Sequence, residues 1–273
     1  MPDPTPGESV FQRARQCLVS NDPGAKAGLA EALCKDWQAG RLQVSGIDLQ
    51  DVLEAGRPAR PQLVHPQQLA RRSLASAEGR AALIHALAHI EFNAINLACD
   101  AVFRFRDLPA DYYTDWTRVA AEEARHFLLL RGRLRNLGRD YGDFPGHAGL
   151  WDMAGRTAAD PLLRMAMVPR MLEARGLDVT PGMIGRLQQA GDSETAELLK
   201  QILHDEVAHV AAGSRWFAYL CRQRGLAPEQ TYFELLDEFL NGAIRAPLNI
   251  EARRRAGFSA SELARLQALS EGQ

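Results

Sequence analysis

Apolar residues recur every three or four positions through most of the chain, in windows dominated by Ala, Leu, Arg and Glu, and no convincing period-two strand interrupts them. The pattern predicts an all-α protein. Shorter helices are expected near residues 10–19 and 25–39, followed by a proline-rich connector, RPARPQLVHP. A long helix should then run over about 76–106, ended by the turn at Asp107 to Pro109, and a second over about 111–137, ended by Gly138. Their short link makes them antiparallel neighbours. The stretch GRDYGDFPGHAGLWDMAGRT reads as a long crossover to a third helix, with Asp160 as N-cap and Pro161 in its first turn. Pro169 and Gly176 predict that this helix is kinked and short. A short helix should restart at Thr180 and Pro181, turn at Gly191 and Asp192, and lead into a fourth long helix over about 193–224. The expected organisation is a helical flank over 1–75, a four-helix bundle with one long crossover over 76–225, and a second helical flank over 226–273.

Composition narrows the setting. The 273 residues are 46% hydrophobic and 24% charged, values ordinary for a globular protein, and the net charge of −2 provides no global basic field for nucleic acid or membrane. Only Lys26, Lys35 and Lys200 are lysines; the other basic residues are arginines. Cys17, Cys34, Cys99 and Cys221 form no CxxC pair and read as reduced core thiols. The opening MPDPTPGESV is acidic and proline-rich where a secretory signal is basic and then apolar, so a cytoplasmic protein is expected. The most apolar stretch, 81–103, carries His85, His89, Glu91, Asn93, Asn96 and Asp100, which a membrane span would not bury.

The candidate chemistry lies on the long helices. Glu123-Ala-Arg-His126 and Glu206-Val-Ala-His209 each have the form Glu-x-x-His, which puts a carboxylate and an imidazole one turn apart on one helix face, within reach of one metal ion. The 17 glutamates and 7 histidines predict roughly 0.4 such matches by chance, so the motif alone is suggestive only. A glutamate precedes each at nearly the same remove: Glu91 lies 32 residues before Glu123, and Glu173 lies 33 before Glu206. The two hairpins read as copies of one another. Glu91 falls inside the apolar stripe of Ile84, Leu87, Ile95 and Ala98. An unpaired charge there costs several kcal/mol, so one carboxylate per helix aimed at a common axis calls for a shared cation. Four carboxylates and two imidazoles match two divalent ions. Because metal-bound histidines donate their other N–H to a carboxylate, Asp205 is expected to orient His126, and Glu122 to orient His209.

Other residues have plainer readings. His85, His89, His65, His147 and His204 are expected to be structural, and Trp116 and Trp216 to pack in the core. The arginines at 131, 133, 135 and 139 and at 253–255 could contact phosphates, with a solvated helix face the blander reading.

These motifs resemble the ferritin-like di-iron carboxylate proteins, whose signature is Glu, Glu-x-x-His, Glu, Glu-x-x-His on successive helices. The segments HALAHIEFNAINLACDAVFRF, DWTRVAAEEARHF, LEARGLDVTPGM and ILHDEVAHV are similar to an uncharacterised bacterial group of ferritin-like proteins, over roughly 71–221, and more distantly to the bacterial tRNA hydroxylase that oxidises a modified adenosine. The resemblance implies a ferritin-like bundle in which Glu123 and Glu206 bridge two metals, Glu91 and Glu173 are terminal ligands, and His126 and His209 each serve one metal. It implies iron, with manganese accommodated by the same donors, and an O2-activating oxidase or hydroxylase acting on an unidentified small molecule or RNA. A reductase partner and self-association fit the same reading. A metal-binding protein that handles iron or peroxide is the alternative, and the long flanks suit a compact cage subunit poorly. A purely structural bundle with its acids paired to arginines is the third.

Overall fold

The computed structural model describes residues 8–45, 52, 54–70, 72–240 and 244–271. The first seven residues, read above for a leader, lie outside that set. The chain forms two compact units, Met1–Gly155 and Arg156–Gln273.

The first unit holds α1 (Val10–Val19), α2 (Pro23–Gln38), α3 (Ala77–Arg104) and α4 (Ala110–Asn136). A parallel pairing of the two-residue strands β1 (Glu8–Ser9) and β2 (Leu42–Gln43) ties the start of α1 to the end of α2. The long helices begin and end where their caps dictate. Ser76 accepts from the Gly79 amide at the start of α3, and Gly138, at φ +74°, takes the left-handed conformation that ends α4. α3 and α4 pack along each other, while α1 lies on α3 and α2 on α4. α3 is long and apolar enough to cross a membrane, but 67% of its most apolar window is buried inside the fold, as in a core helix.

One buried charge joins three of these helices. Lys26 has no exposed surface, and its ammonium donates to the carbonyls of Cys17 and Leu18 at 3.0 and 2.8 Å and to Asn96 Oδ1 at 2.5 Å. All three N–H bonds are thereby satisfied. Two of the acceptors are carbonyls in the last turn of α1, at the negative end of the helix dipole. Burial pushes the Lys26 ammonium below its usual range.

The second unit holds α6 (Pro161–Met167), a π-helical turn (Val168–Glu173), α7 (Ala174–Gln189), α8 (Ser193–Gln223), α9 (Pro228–Leu240), α10 (Ile250–Arg255) and α11 (Ala260–Glu271); α5 (Gly149–Arg156) precedes it. Asp160 caps α6 as expected, accepting from the Leu162 amide at 2.8 Å. The expected break between Gly176 and Pro181 does not occur: α7 runs through both. Pro181 removes the N–H that would bond the carbonyl of Leu177, and the side chain of Asn249 donates to that carbonyl instead, at 3.1 Å. The kink expected at Pro169 takes the form of the π turn, which absorbs the missing amide by widening one turn of helix.

Candidate metal centre

In the first unit the antiparallel α3 and α4 bring Glu91, Glu123 and His126 together. Their exposures are 6%, 1% and 0%. His126 Nδ1 stands 3.5 Å from Glu91 Oε2 and 3.6 Å from Glu123 Oε2. One ligand atom from each residue falls within a group spanning 4.8 Å. Metal–oxygen and metal–nitrogen bonds of about 2.0–2.2 Å fit a span of this size.

The electrostatics favour a cation at the same point. Burial opposes charge on the His126 ring, but hydrogen bonding and the fields of Glu123 and Glu91 outweigh it and raise its pKa to about 11. Two buried carboxylates beside one imidazole make a negative site that could hold a divalent ion, with the imidazole as a donor in the proton's place. The donor set, two carboxylates and one imidazole, suits a first-row divalent metal.

In the second unit, α8 carries the matching pair, with His209 Nδ1 3.3 Å from Glu206 Oε1, the imidazole fully buried and the carboxylate nearly so. Glu173 closes the π turn, half-buried. Among the described residues, no group of three ligand atoms within 4.8 Å includes it. The π turn is the physical reason its placement escapes helical periodicity, since one widened turn rotates every later side chain relative to an α-helical count.

The residues beside the ligands carry ordinary ion pairs as well. Glu122, half-buried, accepts from Arg118 one turn back at 3.2 Å, and Asp205 is also half-buried. Four of the five histidines read as structural are hydrogen-bonded, and the fifth, His204, is exposed. His85 Nε2 accepts from the Gly142 amide at 3.0 Å, and burial lowers its pKa to about 4. His89 donates through Nε2 to the His147 carbonyl and accepts at Nδ1 from the Tyr141 hydroxyl, because a carbonyl can only accept. His65 caps a short 3-10 turn, and His147 accepts from the Gly149 amide. Trp116 is buried against Tyr112, and Trp216 against Tyr219.

The arginines divide. Arg131 and Arg135 pair with Asp140. Arg253 departs from the solvated reading: it is 4% exposed, grips Asp178 through two hydrogen bonds of 2.9 and 2.7 Å, and lies over the Phe258 ring. Sequence reasoning did not find the Lys26–Asn96 pair or the roles of Asn93 and Tyr141. The available signal was the row of polar residues at 85, 89, 93, 96 and 100, spaced three and four apart on one side of α3.

Residues 19–264 match the family described as "Protein of unknown function (DUF455)". A Haemophilus influenzae protein named "Uncharacterized protein" is 44% identical over 267 residues, spanning 93% of this chain and 92% of the relative. No solved structure matches the chain. The family match and the near end-to-end relative agree, and the chain belongs to the DUF455 family.

Proposed function

We propose that the protein is a di-metal carboxylate oxidoreductase, built as a ferritin-like four-helix bundle from the α3–α4 hairpin and the hairpin that ends in α8. The observation that carries this reading is the buried set Glu91, Glu123 and His126, with ligand atoms inside 4.8 Å. The repeated order Glu173, Glu206 and His209 supports a second ion. Iron is the proposed metal, with manganese held by the same donors. Two ferrous ions in such a site would supply electrons for the reduction of O2.

The chain's own residues do the rest. Four carboxylates would balance the charge of two divalent ions, which removes the cost of burying either sign alone. The first set is itself buried, with Glu91, Glu123 and His126 at 6%, 1% and 0% exposure, which would keep bulk water from the reacting positions. Glu122 and Asp205 are proposed to orient the imidazoles of His209 and His126 from the far ring nitrogen. The substrate class is an organic molecule, small or RNA, with electrons replenished by a reductase.

Metal analysis of the purified protein beside a Glu123→Ala, His209→Ala double variant tests the reading, followed by anaerobic Fe(II) titration and optical spectra after exposure to O2. About two metals per chain, lost in the variant, with an oxo-bridged di-iron spectrum after O2, is the expected result. Assembly into a large shell that mineralises iron would support iron handling instead. Absence of metal from both proteins, with no uptake of Fe(II), would overturn the proposal.

A further inference from the structure

The side of α3 opposite Glu91 lines a cavity. It has a volume of about 250 Å3 and is walled by α3, the connector near Pro61 and Leu63, and the crossover segment that leads into α5. Counted around the helix from Glu91, Asn93 and Asn96 lie roughly 140–160° away, so the cavity belongs to neither ligand set. Its walls are fixed. Val64 donates to the Gly146 carbonyl at 2.9 Å and Gly146 donates to the Gln62 carbonyl at 3.0 Å, which staples connector to crossover. Gly146 also sits on the His89 ring so closely that a β-carbon there would lie 2.7 Å from it.

Two amides on α3 face this space with their polarity assigned by chemistry. Asn96 is 2% exposed, and because the Lys26 ammonium can only donate, Oδ1 must be the end bonded to Lys26. That leaves the Nδ2 donor for the cavity. Asn93 donates from Nδ2 to the His89 carbonyl at 2.7 Å, which leaves its Oδ1 acceptor. A donor and an acceptor therefore stand one helical turn apart, beside the aromatic rings of Phe92, Tyr141 and Trp151. Both ring nitrogens of His89 are engaged, so that residue adds no further recognition. The charged side chains, Glu54, Arg57 and Asp152, are exposed at the rim.

We infer that this cavity binds a neutral, planar aromatic molecule of one or two rings that carries a carboxamide or ring-lactam edge. Such an edge presents an acceptor to Asn96 and a donor to Asn93 while the ring lies among the aromatic side chains. The buried charge nearest the cavity, the Lys26 ammonium behind Asn96, already has its three N–H bonds taken by Cys17, Leu18 and Asn96, so a charged ligand would lose its hydration without gaining a direct ion pair. The volume, smaller than the usual range of about 300–1,000 Å3 for drug-sized ligands, sets the ring count. The site is independent of any metal.

Isothermal titration of the full chain with benzamide, benzyl alcohol and benzoate tests it. Benzamide should bind one to one with Kd of roughly 0.1–1 mM, as expected for a ligand of this size. Benzyl alcohol and benzoate should bind at least tenfold more weakly. Asn93→Leu should weaken benzamide at least tenfold, and Ala148→Trp, which fills the cavity from the crossover side, should abolish binding, both with unchanged helical circular dichroism. No saturable benzamide binding at millimolar concentration, equal affinity for benzyl alcohol, or binding that survives Ala148→Trp would each overturn the assignment.

Discussion

Pro169 in the π turn lies directly on Gly213 of α8, where a β-carbon at 213 would stand 2.3 Å from Cβ and Cγ of the proline. Gly213 is one turn beyond His209, so the absent side chain lets the π turn approach the helix that carries the second Glu-x-x-His pair. The proline ring is rigid and cannot swing aside. Gly213→Ala should therefore destabilise the second unit by about 1–3 kcal/mol. Gly185→Ala, where nothing lies within 4 Å of the added carbon, should stabilise α7 by about 0.5–1 kcal/mol. Urea midpoints of the two variants check the contrast, and equal shifts would refute it.

Glu122 and Asp205 separate a metal-orienting role from a surface one. The Arg118–Glu122 pair is partly exposed and contributes only about 0.3–0.5 kcal/mol, so Glu122→Ala should barely move the unfolding midpoint. If each acid orients a metal-bound imidazole, Glu122→Ala and Asp205→Ala should weaken Co(II) affinity by about 10–100-fold. Competition titration against a chelator measures this, and unchanged affinity would assign both residues to the surface.

His85 gives the first unit an acid-sensitive element. Its folded pKa is depressed from 6.5 to about 4 by burial, with the His89 field adding to it. The unfolded chain therefore binds a proton that the folded chain refuses. Stability is complete above pH 6.5 and is lost as the pH falls from there towards 4. The loss should be on the order of 2 kcal/mol, and His85→Gln should flatten the pH dependence in that window. Denaturant titrations at several pH values decide it; identical slopes in the two proteins would contradict the assignment.

Lys26 holds three acceptors that have no access to water. Replacing it with Met keeps the aliphatic volume and removes the ammonium, which relieves a buried charge but strands the Asn96 oxygen and takes one of two bonds from each of the Cys17 and Leu18 carbonyls, which keep those from the Ser20 and Gly56 amides. The unmet Asn96 oxygen and the lost carbonyl bonds should dominate, giving a net loss of about 1–3 kcal/mol by chemical denaturation. A neutral or stabilising result would mean that the desolvation of Lys26 outweighs its bonds.

The helix limits were legible because their causes are local. The spacing predicted residues 10–19, 76–106, 111–137 and 193–224, and the observed helices are Val10–Val19, Ala77–Arg104, Ala110–Asn136 and Ser193–Gln223. Caps such as Ser76, Asp160 and Gly138 act over three or four residues and can be read in place. The reading failed at Gly176 to Pro181 because the group that rescues the Leu177 carbonyl is the side chain of Asn249, 72 residues away. Arg253 was misjudged for the same reason, since its partner Asp178 lies 75 residues back in the chain.

The sequence by itself determined the helical class, the helix positions and the Glu-x-x-His spacing, because each depends on neighbours within one or two turns. Only the tertiary structure decided which polar residues of α3 do which work. Glu91 turns to Glu123 and His126, His85 and His89 are fastened to the crossover, and Asn96 anchors Lys26 while its amide nitrogen faces a cavity. All lie in one apolar helix with similar spacing, and what distinguishes them is the partner that long-range packing brings to each.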